Sequence, residues 1–588
     1  MSALQCIKKG SLTASFFLFC AFSAVVEAVD KGTETVAALQ FQANRLNLAS
    51  DPVWLAFLHN QKGRSYISDD NFFLSGLVDN PHVELMATIE NLFAPDSKVA
   101  IRCRYPARYL WLSAKLNLKQ PDTSACHEFE QFKAKVPFDD LSLVYASENI
   151  SSPASMMGHV FLRSSGLNDK RDEVSHAISY FTEIDSLNIV KLFYETVVVG
   201  KPGYFVVSPY NDPLIHYTKT EQRNIWEYQL KASDFDKALI QAHIWELRNV
   251  GIDYFFDKNN CATVTLFLVS IANPRLQTFE NKSWTPLDVV KAADHEEMIG
   301  DVITVPAYKW MVRTLQEMQR KVPQDDRIET LLARSASSYR YSKGVISRDE
   351  WLDEQDKTEG AKRYVLDVGA YRTPTKRPQE SQVRISLQPE QSRIKVGYLP
   401  ASHGIEDDNR NYFGDTEVKL FETAIAYDYE SSKVELDKFV LYSMKSLLPY
   451  DPVTRPFSGQ VRVAYEEQIA PEGSLEHGFN LVAGGGYTVA LGADVSFFAL
   501  LNGGYKQLEK AGWNIEPQIG LIVSEVFDMK TVLSSSYYRY GNGREQGLLK
   551  LAQNVYMRQN SSFHLTLEQA ISGETREKRL EFTFKYLF

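Results

Sequence analysis

The spacing of apolar positions divides the chain into four regions, each with its own predicted structure. From about residue 29 to 136, apolar residues recur at helical intervals, and Asp51 and Asn80, each followed by proline, are good caps for two helices. From 137 to 323, strand-like runs come first and helical runs follow, which predicts an α+β domain. The stretch 324–360 is charged and helical in pattern, and we interpret it as a connector.

The middle region is expected to contain strands and then helices. The strands are predicted at Leu141–Ala146, Val160–Leu162, around His176, at Ile189–Phe193 and at Tyr204–Ser208. Helix starts are predicted at a capping box over Thr218–Glu221, at Ser233 for a helix ending before Gly251, and at Cys261 after a capping Asn259 or Asn260.

From about residue 361 to 588, apolar positions alternate with polar or small ones, which is the period of a β-strand. The alternating runs include Val383–Leu387, Ile394–Tyr398, Val461–Tyr465, Val489–Phe497, Phe563–Leu567 and Leu580–Tyr586. We count about twelve, and an even number of such strands predicts an antiparallel transmembrane β-barrel. Two runs fit less well, because Pro517 interrupts one and Asp437-Lys438 breaks the alternation of another.

The last strand favours a barrel over the alternative, a soluble β-sandwich. Its apolar side chains fall on every second position from Leu580 to Phe588 and are mostly aromatic. This stripe resembles the C-terminal signal that the outer-membrane assembly machinery reads, so that machinery and outer-membrane lipid are expected partners. With an even strand count both barrel ends lie on the periplasmic side, which places the preceding regions in the periplasm.

Residues 1–28 are predicted to be a secretory signal peptide. Lys8 and Lys9 precede a short apolar run, and Ala28 ends an acceptable cleavage site. The alternative, a membrane anchor, is disfavoured because the apolar run is shorter than the roughly 20 residues that a span needs. In an oxidising compartment Cys103 and Cys126 are the natural disulfide pair, which leaves Cys261 as either a buried structural cysteine or a reactive one.

Composition and charge limit the classes of partner. The 588 residues are enough for several domains, and the net charge of −10 argues against nucleic acid as a partner. The aromatic content of 12% fits a strand-rich or membrane-facing part. Three arginines of the N-terminal region, Arg102, Arg104 and Arg108, are interpreted as a solvated, tyrosine-packed face, with an anionic head-group site as the alternative.

The candidate chemistry centres on Cys261. At the start of a helix, unpaired amide N–H groups and the helix dipole favour a thiolate over a thiol. His159 opens a predicted strand and is the candidate general base, and His176 on the next strand is the candidate that orients it. The alternative for both histidines is a satisfied core position. No spacing typical of a zinc site is present, so we expect neither a metal nor another cofactor.

The order of histidine strand, polar strand and cysteine helix is similar to the circularly permuted branch of the NlpC/papain-like superfamily. More closely, Ser155–Arg163, Ser175–Tyr180 and Asn260–Ala262 resemble the signature of the Lnb-type N-terminal periplasmic domain, a bacterial family that includes lipoprotein N-acyltransferases. The resemblance covers about Leu141 to Ala272. It implies Cys261 as nucleophile and His159 as base, and Ser155 and Asn260 are taken as candidate substrate-binding residues.

The resemblance implies thiol acyl chemistry, in which Cys261 forms an acyl-enzyme and passes the acyl group to an amine or to water. Lipoproteins or phospholipids are the first expected substrates, and hydrolysis of peptidoglycan stem peptides is the alternative within this class. An alternative from another class is an outer-membrane channel or export pore with a periplasmic binding module. In that case Arg384, Lys395, Arg462, Asp494 and Glu581 are expected to point into the lumen.

Overall fold

A computed structural model describes residues 35–588 apart from short internal gaps, so the predicted signal peptide and Ser155 lie outside the described residues. The residues that are not described are 1–34, 96, 149–156, 183–190, 192–193, 257, 279–283, 323, 359, 361–372, 410–413, 493, 510–511 and 526–527. The chain divides into two compact units, one formed by Met1–Glu130 with Ala242–Glu246 and the other by Gln131–Gln241 with Leu247–Phe588.

The first unit is mainly helical, as predicted, and its caps follow the sequence signals. Asp51 accepts a hydrogen bond from the Val53 N–H, and Asn80 accepts one from the Val83 N–H. The helices are α1 (Val36–Arg45), α2 (Pro52–Phe57), α3 (Pro81–Phe93), α4 (Val99–Arg104), α5 (Pro106–Lys115) and α6 (His127–Lys135), with a small hairpin of β1 (Asn60–Gln61) and β2 (Arg64–Ser65). The predicted disulfide between Cys103 and Cys126 is confirmed, with their Cα atoms 5.1 Å apart.

The interpretation of the arginines as a solvated face is wrong for one of the three. Arg104 is exposed and lies over the Tyr105 ring, as expected. The Arg108 side chain is fully buried and is paired with two buried carboxylates, Glu84 at 2.6 Å and Glu246 at 3.8 Å. Its sequence neighbourhood is rich in arginine and tyrosine, so nothing local distinguishes it from the half-buried Arg102 and the exposed Arg104.

The second unit begins with a seven-stranded antiparallel sheet in the order β8-β6-β5-β4-β3-β7-β9. Its strands are β3 (Asp140–Ala146), β4 (His159–Leu167), β5 (Glu173–Thr182), β6 (Lys201–Pro209), β7 (Ile225–Leu230), β8 (Ile252–Tyr254) and β9 (Ile299–Val305). The helices of this region are α7 (Asn211–Ile215), α8 (Asp234–Glu246), α9 (Cys261–Ala272) and α10 (Pro286–His295). The cysteine helix α9 packs on β4 and β5.

Several local predictions in this region are corrected or fall outside the described residues. The capping box at Thr218 is wrong, because Thr218 lies inside a helical turn and its hydroxyl donates to the Leu214 carbonyl at 2.6 Å. The helix predicted from Ser233 is present, but it ends at Glu246. Most of the strand predicted at Ile189–Phe193 lies outside the described residues.

Three helices then connect the sheet domain to the C-terminal region: α11 (Tyr308–Lys321), α12 (Asp326–Ser342) and α13 (Arg348–Lys357). They confirm the helical pattern predicted for the connector. Among the helices of the described ranges, none combines the length and the apolar character that a membrane span requires.

The C-terminal region is a closed antiparallel barrel of twelve strands, as predicted. Its strands are β10 (Gln382–Gln388), β11 (Arg393–Leu399), β13 (Asp415–Asp428), β14 (Lys433–Leu447), β15 (Ser458–Ile469), β16 (Leu475–Ala490), β17 (Val495–Lys506), β18 (Trp513–Glu525), β19 (Met529–Tyr540), β20 (Glu545–Arg558), β21 (Ser561–Ser572) and β22 (Thr575–Leu587). Strand β22 pairs with β10, and β11 pairs with β13, which closes the barrel. A short strand β12 (Ala401–His403) extends the seam beside β13.

The strands that fit the alternating pattern poorly have local explanations. The pairing of β13 with β14 shifts register at Asp437, and this bulge allows both Asp437 and Lys438 to form ion pairs, with Lys395 and Glu422 respectively. Pro517 pairs with Leu501 of β17, whereas the described ladder to β19 skips it. A proline has no N–H to donate, so it is tolerated where the ladder is interrupted.

One predicted strand is wrong in its extent. The run Val489–Phe497 contains the turn between β16 and β17, so Asp494 lies in that turn and does not line the central lumen. The other predicted inward residues, Arg384, Lys395, Arg462 and Glu581, do line the lumen. Side chains at the alternate positions are exposed on the outer face, for example Ile385 at 54% and Phe563 at 50%. This outer apolar belt is what a lipid bilayer requires of a barrel.

Candidate functional site

Helix α9 presents Cys261 at its first position, as the sequence predicted. The cap is Asn260, whose backbone is extended and whose Oδ1 accepts hydrogen bonds from the N–H groups of Ala262 (2.9 Å) and Thr263 (3.1 Å). Its amide nitrogen donates to the carbonyls of Phe256 (3.0 Å) and Trp284 (2.9 Å). Both amide hydrogens are therefore used within the protein, and Asn260 holds the start of the cysteine helix while it also lines the cavity described below. Its predicted role in substrate binding stays a prediction.

Strand β4 presents His159 at its first position, opposite Ala146 of β3. The residue before it, Gly158, has φ +84°, and a Cβ added there would lie 2.9 Å from the Tyr145 ring. Only glycine satisfies both requirements, so Gly158 lets the chain turn closely over Tyr145 as it enters the strand. The glycine of the Gly-His motif thus determines where the histidine begins the strand.

The structure brings Cys261 and His159 to one cavity of about 90 Å³. The Cys261 sulfur lies within hydrogen-bonding reach of the Val160 N–H, the residue next to His159, which ties the start of α9 to the start of β4. Aromatic side chains form much of the remaining wall. The other lining residues are Met157, Gly158, Tyr254, Phe256, Asn260, Trp284, Thr285, Pro286, Pro400, Leu420 and Phe421.

Burial keeps both the Cys261 thiol and the His159 imidazole uncharged at neutral pH. It raises the pKa of the Cys261 thiol to about 11, although the N–H groups of Val160 and Ala262 and the Arg223 guanidinium act in the opposite direction. Burial, helped by Arg223, lowers the pKa of His159 to about 3. The expectation of a resting thiolate is therefore wrong, because desolvation outweighs the helix start. The site therefore holds a neutral thiol and a neutral imidazole that line the same cavity.

The rate at which Cys261 is alkylated in the free protein should depend on pH as expected for a thiol with a pKa of about 11. Because only the thiolate reacts, we expect the rate with iodoacetamide to rise about tenfold per pH unit between pH 7 and pH 9. The measurement is the pH–rate profile of the full chain by mass spectrometry, with Cys261→Ser as the unlabelled control. A rate that is level across this range would instead show a thiolate already formed at neutral pH.

Sequence reasoning missed a buried charged group beside the cavity. Arg223 donates to the carbonyls of Ala146 (3.0 Å) and Ser147, pairs with Glu221 at 2.8 Å, and stacks over the Tyr217 ring. Its guanidinium acts on the pKa of both Cys261 and His159, as described above. The sequence around Arg223 gives no sign of this role. Arg223 follows Thr218–Glu221, which was misassigned as a capping box, and it reaches the site only because β7 pairs with β3.

Sequence reasoning also missed the ion pair of Glu148 with Arg377. Burial opposes ionisation of Glu148, but Arg377 at 2.6 Å and the Tyr145 hydroxyl hold the pKa of this carboxyl below its usual range. Glu148 lies between the predicted strand Leu141–Ala146 and His159, so its position in the sequence was a usable signal. Its partner Arg377 lies just before the first barrel strand.

The structure does not bring His176 to the site. On β5 it pairs with Ser164 of β4, five residues along the strand from His159, which corresponds to about 16 Å at the usual rise of a strand. The register also places His176 on the sheet face opposite to that of His159, because paired residues share a face and faces alternate along a strand. The predicted orienting role is therefore corrected. Ser155 lies outside the described residues.

Three family models match parts of the chain. Residues 128–296 match the Lnb N-terminal periplasmic domain. Residues 46–115 match a domain of unknown function (DUF7843), and residues 376–587 match another (DUF7840). A comparison with curated proteins finds no match.

Solved structures of outer-membrane barrels also resemble part of the chain. The KdgM porin is 11% identical, covers 36% of this chain and 99% of its own, and has a TM-score of 0.22. The NanC porin is 6% identical with coverage of 35% and 98% and a TM-score of 0.21. The COG4313 outer membrane channel from Pseudomonas putida F1 is 10% identical with coverage of 38% and 100% and a TM-score of 0.23.

The chain is an outer-membrane protein whose N-terminal domains lie in the periplasm. The middle region matches the model of a periplasmic domain, and the following barrel is closed with an apolar outer belt. Twelve strands return the chain to the side from which it entered, and for barrels of this class that is the periplasmic side.

Proposed function

Starting from a chain that carries an Lnb N-terminal periplasmic domain before an outer-membrane barrel, we propose that it is a Cys261-dependent acyltransferase or hydrolase acting on lipids or lipoproteins. The observation that carries the proposal is the shared cavity of Cys261 and His159. Acyl transfer from a lipid ester needs a nucleophile, a base and an apolar surface for the acyl chain, and this cavity contains all three.

In the first half-reaction the Cys261 thiol gives its proton to the His159 ring as the sulfur attacks an ester carbonyl. A carbon–sulfur bond forms, the ester carbon–oxygen bond breaks, and the imidazolium returns the proton to the departing alkoxide. The products are an acyl thioester on Cys261 and a free alcohol. The Arg223 guanidinium, which favours negative charge at the sulfur, supports the thiolate as it forms.

In the second half-reaction an amine or a water molecule attacks the thioester carbonyl. His159 takes the proton of the attacking group, the carbon–sulfur bond breaks, and the proton passes to the sulfur, which restores the thiol. An amine at the start of a lipoprotein gives an N-acylated product, and water gives a free fatty acid. The same chemistry applies to peptidoglycan stem peptides, but the aromatic wall formed by Tyr254, Phe256 and Trp284 suits an acyl chain better than a charged peptide.

Trapping of the thioester tests this proposal. The full chain is reconstituted with dipalmitoylphosphatidylethanolamine vesicles, quenched in acid and analysed by intact and peptide mass spectrometry. We expect one palmitoyl group on the peptide that contains Cys261, removed by hydroxylamine and absent from Cys261→Ser. An adduct that persists in Cys261→Ser, or no adduct in the wild type, would contradict the proposal. Adding a lipoprotein peptide with a free N-terminal amine then distinguishes transfer from hydrolysis.

A second candidate function, a channel, is favoured by the barrel lumen. The lumen encloses a cavity of about 430 Å³ whose wall is rich in charged side chains. Many of these are ion-paired, such as Lys395 with Asp437 at 2.5 Å, and Asp407 from the loop after β12 reaches Lys585 at 2.9 Å. For a channel, planar-bilayer conductance should change in Lys395→Ala and stay unchanged in Cys261→Ala. A protein without conductance would exclude this function.

A further inference from the structure

The outer face of barrel strand β13 is covered over the half nearest its start. Glu417 and Lys419 line the lumen, so the alternate residues Val418 and Leu420 point outward. Val418 is only 1% exposed and Leu420 only 7%, although Ile425, further along the outer face of the same strand, is 49% exposed. A barrel surface that would otherwise meet lipid is therefore buried at this level.

The Cys261 cavity lies against this covered surface. Pro400, Leu420 and Phe421 of the barrel line the cavity together with Cys261 and His159 of the periplasmic domain. The barrel wall is thus one side of the chamber that contains the reactive groups. The barrel therefore contributes to the site itself as well as anchoring the domain.

The backbone is irregular where the barrel contributes to this chamber. Phe421 has φ +56°, a left-handed conformation that is uncommon for an aromatic residue. In the pairing with β14, Leu420 faces Tyr442 and Glu422 faces Val440, so the regular ladder passes over Phe421. Backbone strain of this kind clusters at functional sites, where it changes the direction of a side chain. Here the side chain is that of Phe421, which lines the cavity.

The covered surface continues into the lipid-facing belt. Tyr398, two residues before Pro400, pairs with Thr423 and is 42% exposed on the outer face. It lies beside Phe588, with ring centroids 6.5 Å apart. Exposed aromatic rings at the end of a barrel mark the level of the membrane interface. The cavity therefore adjoins the periplasmic leaflet of the outer membrane.

We propose that Leu420 and Phe421 of the barrel wall form the acyl-chain subsite, and that the fatty acyl chain of a membrane phospholipid reaches Cys261 laterally from the periplasmic leaflet. The inference rests on the proposed function and adds the route and the recognising residues. A cavity of about 90 Å³ takes the carbonyl end of the chain, while the rest lies along the outer face of the barrel. The ester is delivered to the thiol without the lipid leaving the membrane.

Two acyl donors of different size test the subsite on the full chain in nanodiscs. Dipalmitoylphosphatidylethanolamine has a long acyl chain that should require the subsite. p-Nitrophenyl acetate is small and reaches the thiol from water, so its reaction should not depend on the subsite. We expect Leu420→Trp to lower palmitoyl loading of Cys261 at least tenfold and to change acetyl loading less than twofold. Ile425→Trp, on the exposed part of the same face, is the matched control and should leave both donors within twofold of wild type.

The outcomes separate the subsite from the proposed function. Palmitoyl loading of Leu420→Trp within twofold of wild type, or an equal loss with both donors, would overturn the subsite. Loading that survives in Cys261→Ser would overturn the proposed function instead. Heat-modifiable migration on gels checks that each barrel is folded, and Phe421→Leu serves as a milder variant expected to lose palmitoyl loading selectively.

Discussion

The Cys261→Ala protein is expected to form no acyl thioester from phospholipid, and His159→Ala is expected to lose about 10²–10⁴-fold in the rate of acyl loading. The reason is the resting protonation state of the site. With a thiol pKa of about 11 and an imidazole pKa of about 3, the proton has to move as the sulfur attacks, and His159 is the acceptor that lines the cavity. The rate of hydroxylamine-sensitive palmitoylation measures both losses.

A double variant and a matched histidine make this prediction specific. Residues that act as one unit are not additive, so Cys261→Ala/His159→Ala should be no less active than Cys261→Ala alone. His176→Ala is the control, because His176 lies on the opposite face of the sheet and is expected to stay within about twofold of wild type. A loss in His176→Ala as large as that in His159→Ala would show that the strand register misplaces the base.

Replacing Arg108 by alanine is expected to destabilise the N-terminal unit by about 3–5 kcal/mol, the usual cost of removing one partner from a buried ion pair. Arg108 has no exposed surface, and its removal leaves the buried carboxylates of Glu84 and Glu246 without their cation. Urea unfolding of the full chain, followed by fluorescence of buried Trp54 and Trp111, measures the free energy of unfolding. Arg104→Ala, an exposed neighbour, should change it by less than about 1 kcal/mol.

The same cluster predicts a dependence on pH. Burial raises the pKa of Glu246 to about 7, despite the opposing effect of Arg108. A carboxyl whose pKa is higher in the folded than in the unfolded state stabilises the fold below its unfolded pKa, and this contribution is lost as pH rises to the folded pKa. The free energy of unfolding of the N-terminal unit should therefore fall between about pH 4.5 and pH 7, and Glu246→Gln should remove the slope.

The sequence by itself determined the features that depend on one element at a time. The period-two runs predicted the barrel and its approximate strand number, because side chains alternate across a strand wherever it is placed. The disulfide followed from the cysteines left after export, and the position of Cys261 at a helix start followed from its capping asparagine. These features need only the residues beside them in the chain.

The tertiary structure decided what depends on contacts between distant residues. Strand register placed His159 at the cavity and His176 on the other face, since a shift by one residue exchanges the faces of a strand. Burial raises the pKa of Cys261, whereas its place at a helix start predicted a lowered pKa. Arg108, which the sequence predicted to be solvated, is a buried partner of two carboxylates. Leu420 and Phe421 of β13 become part of the cavity wall only because the periplasmic domain packs against the barrel.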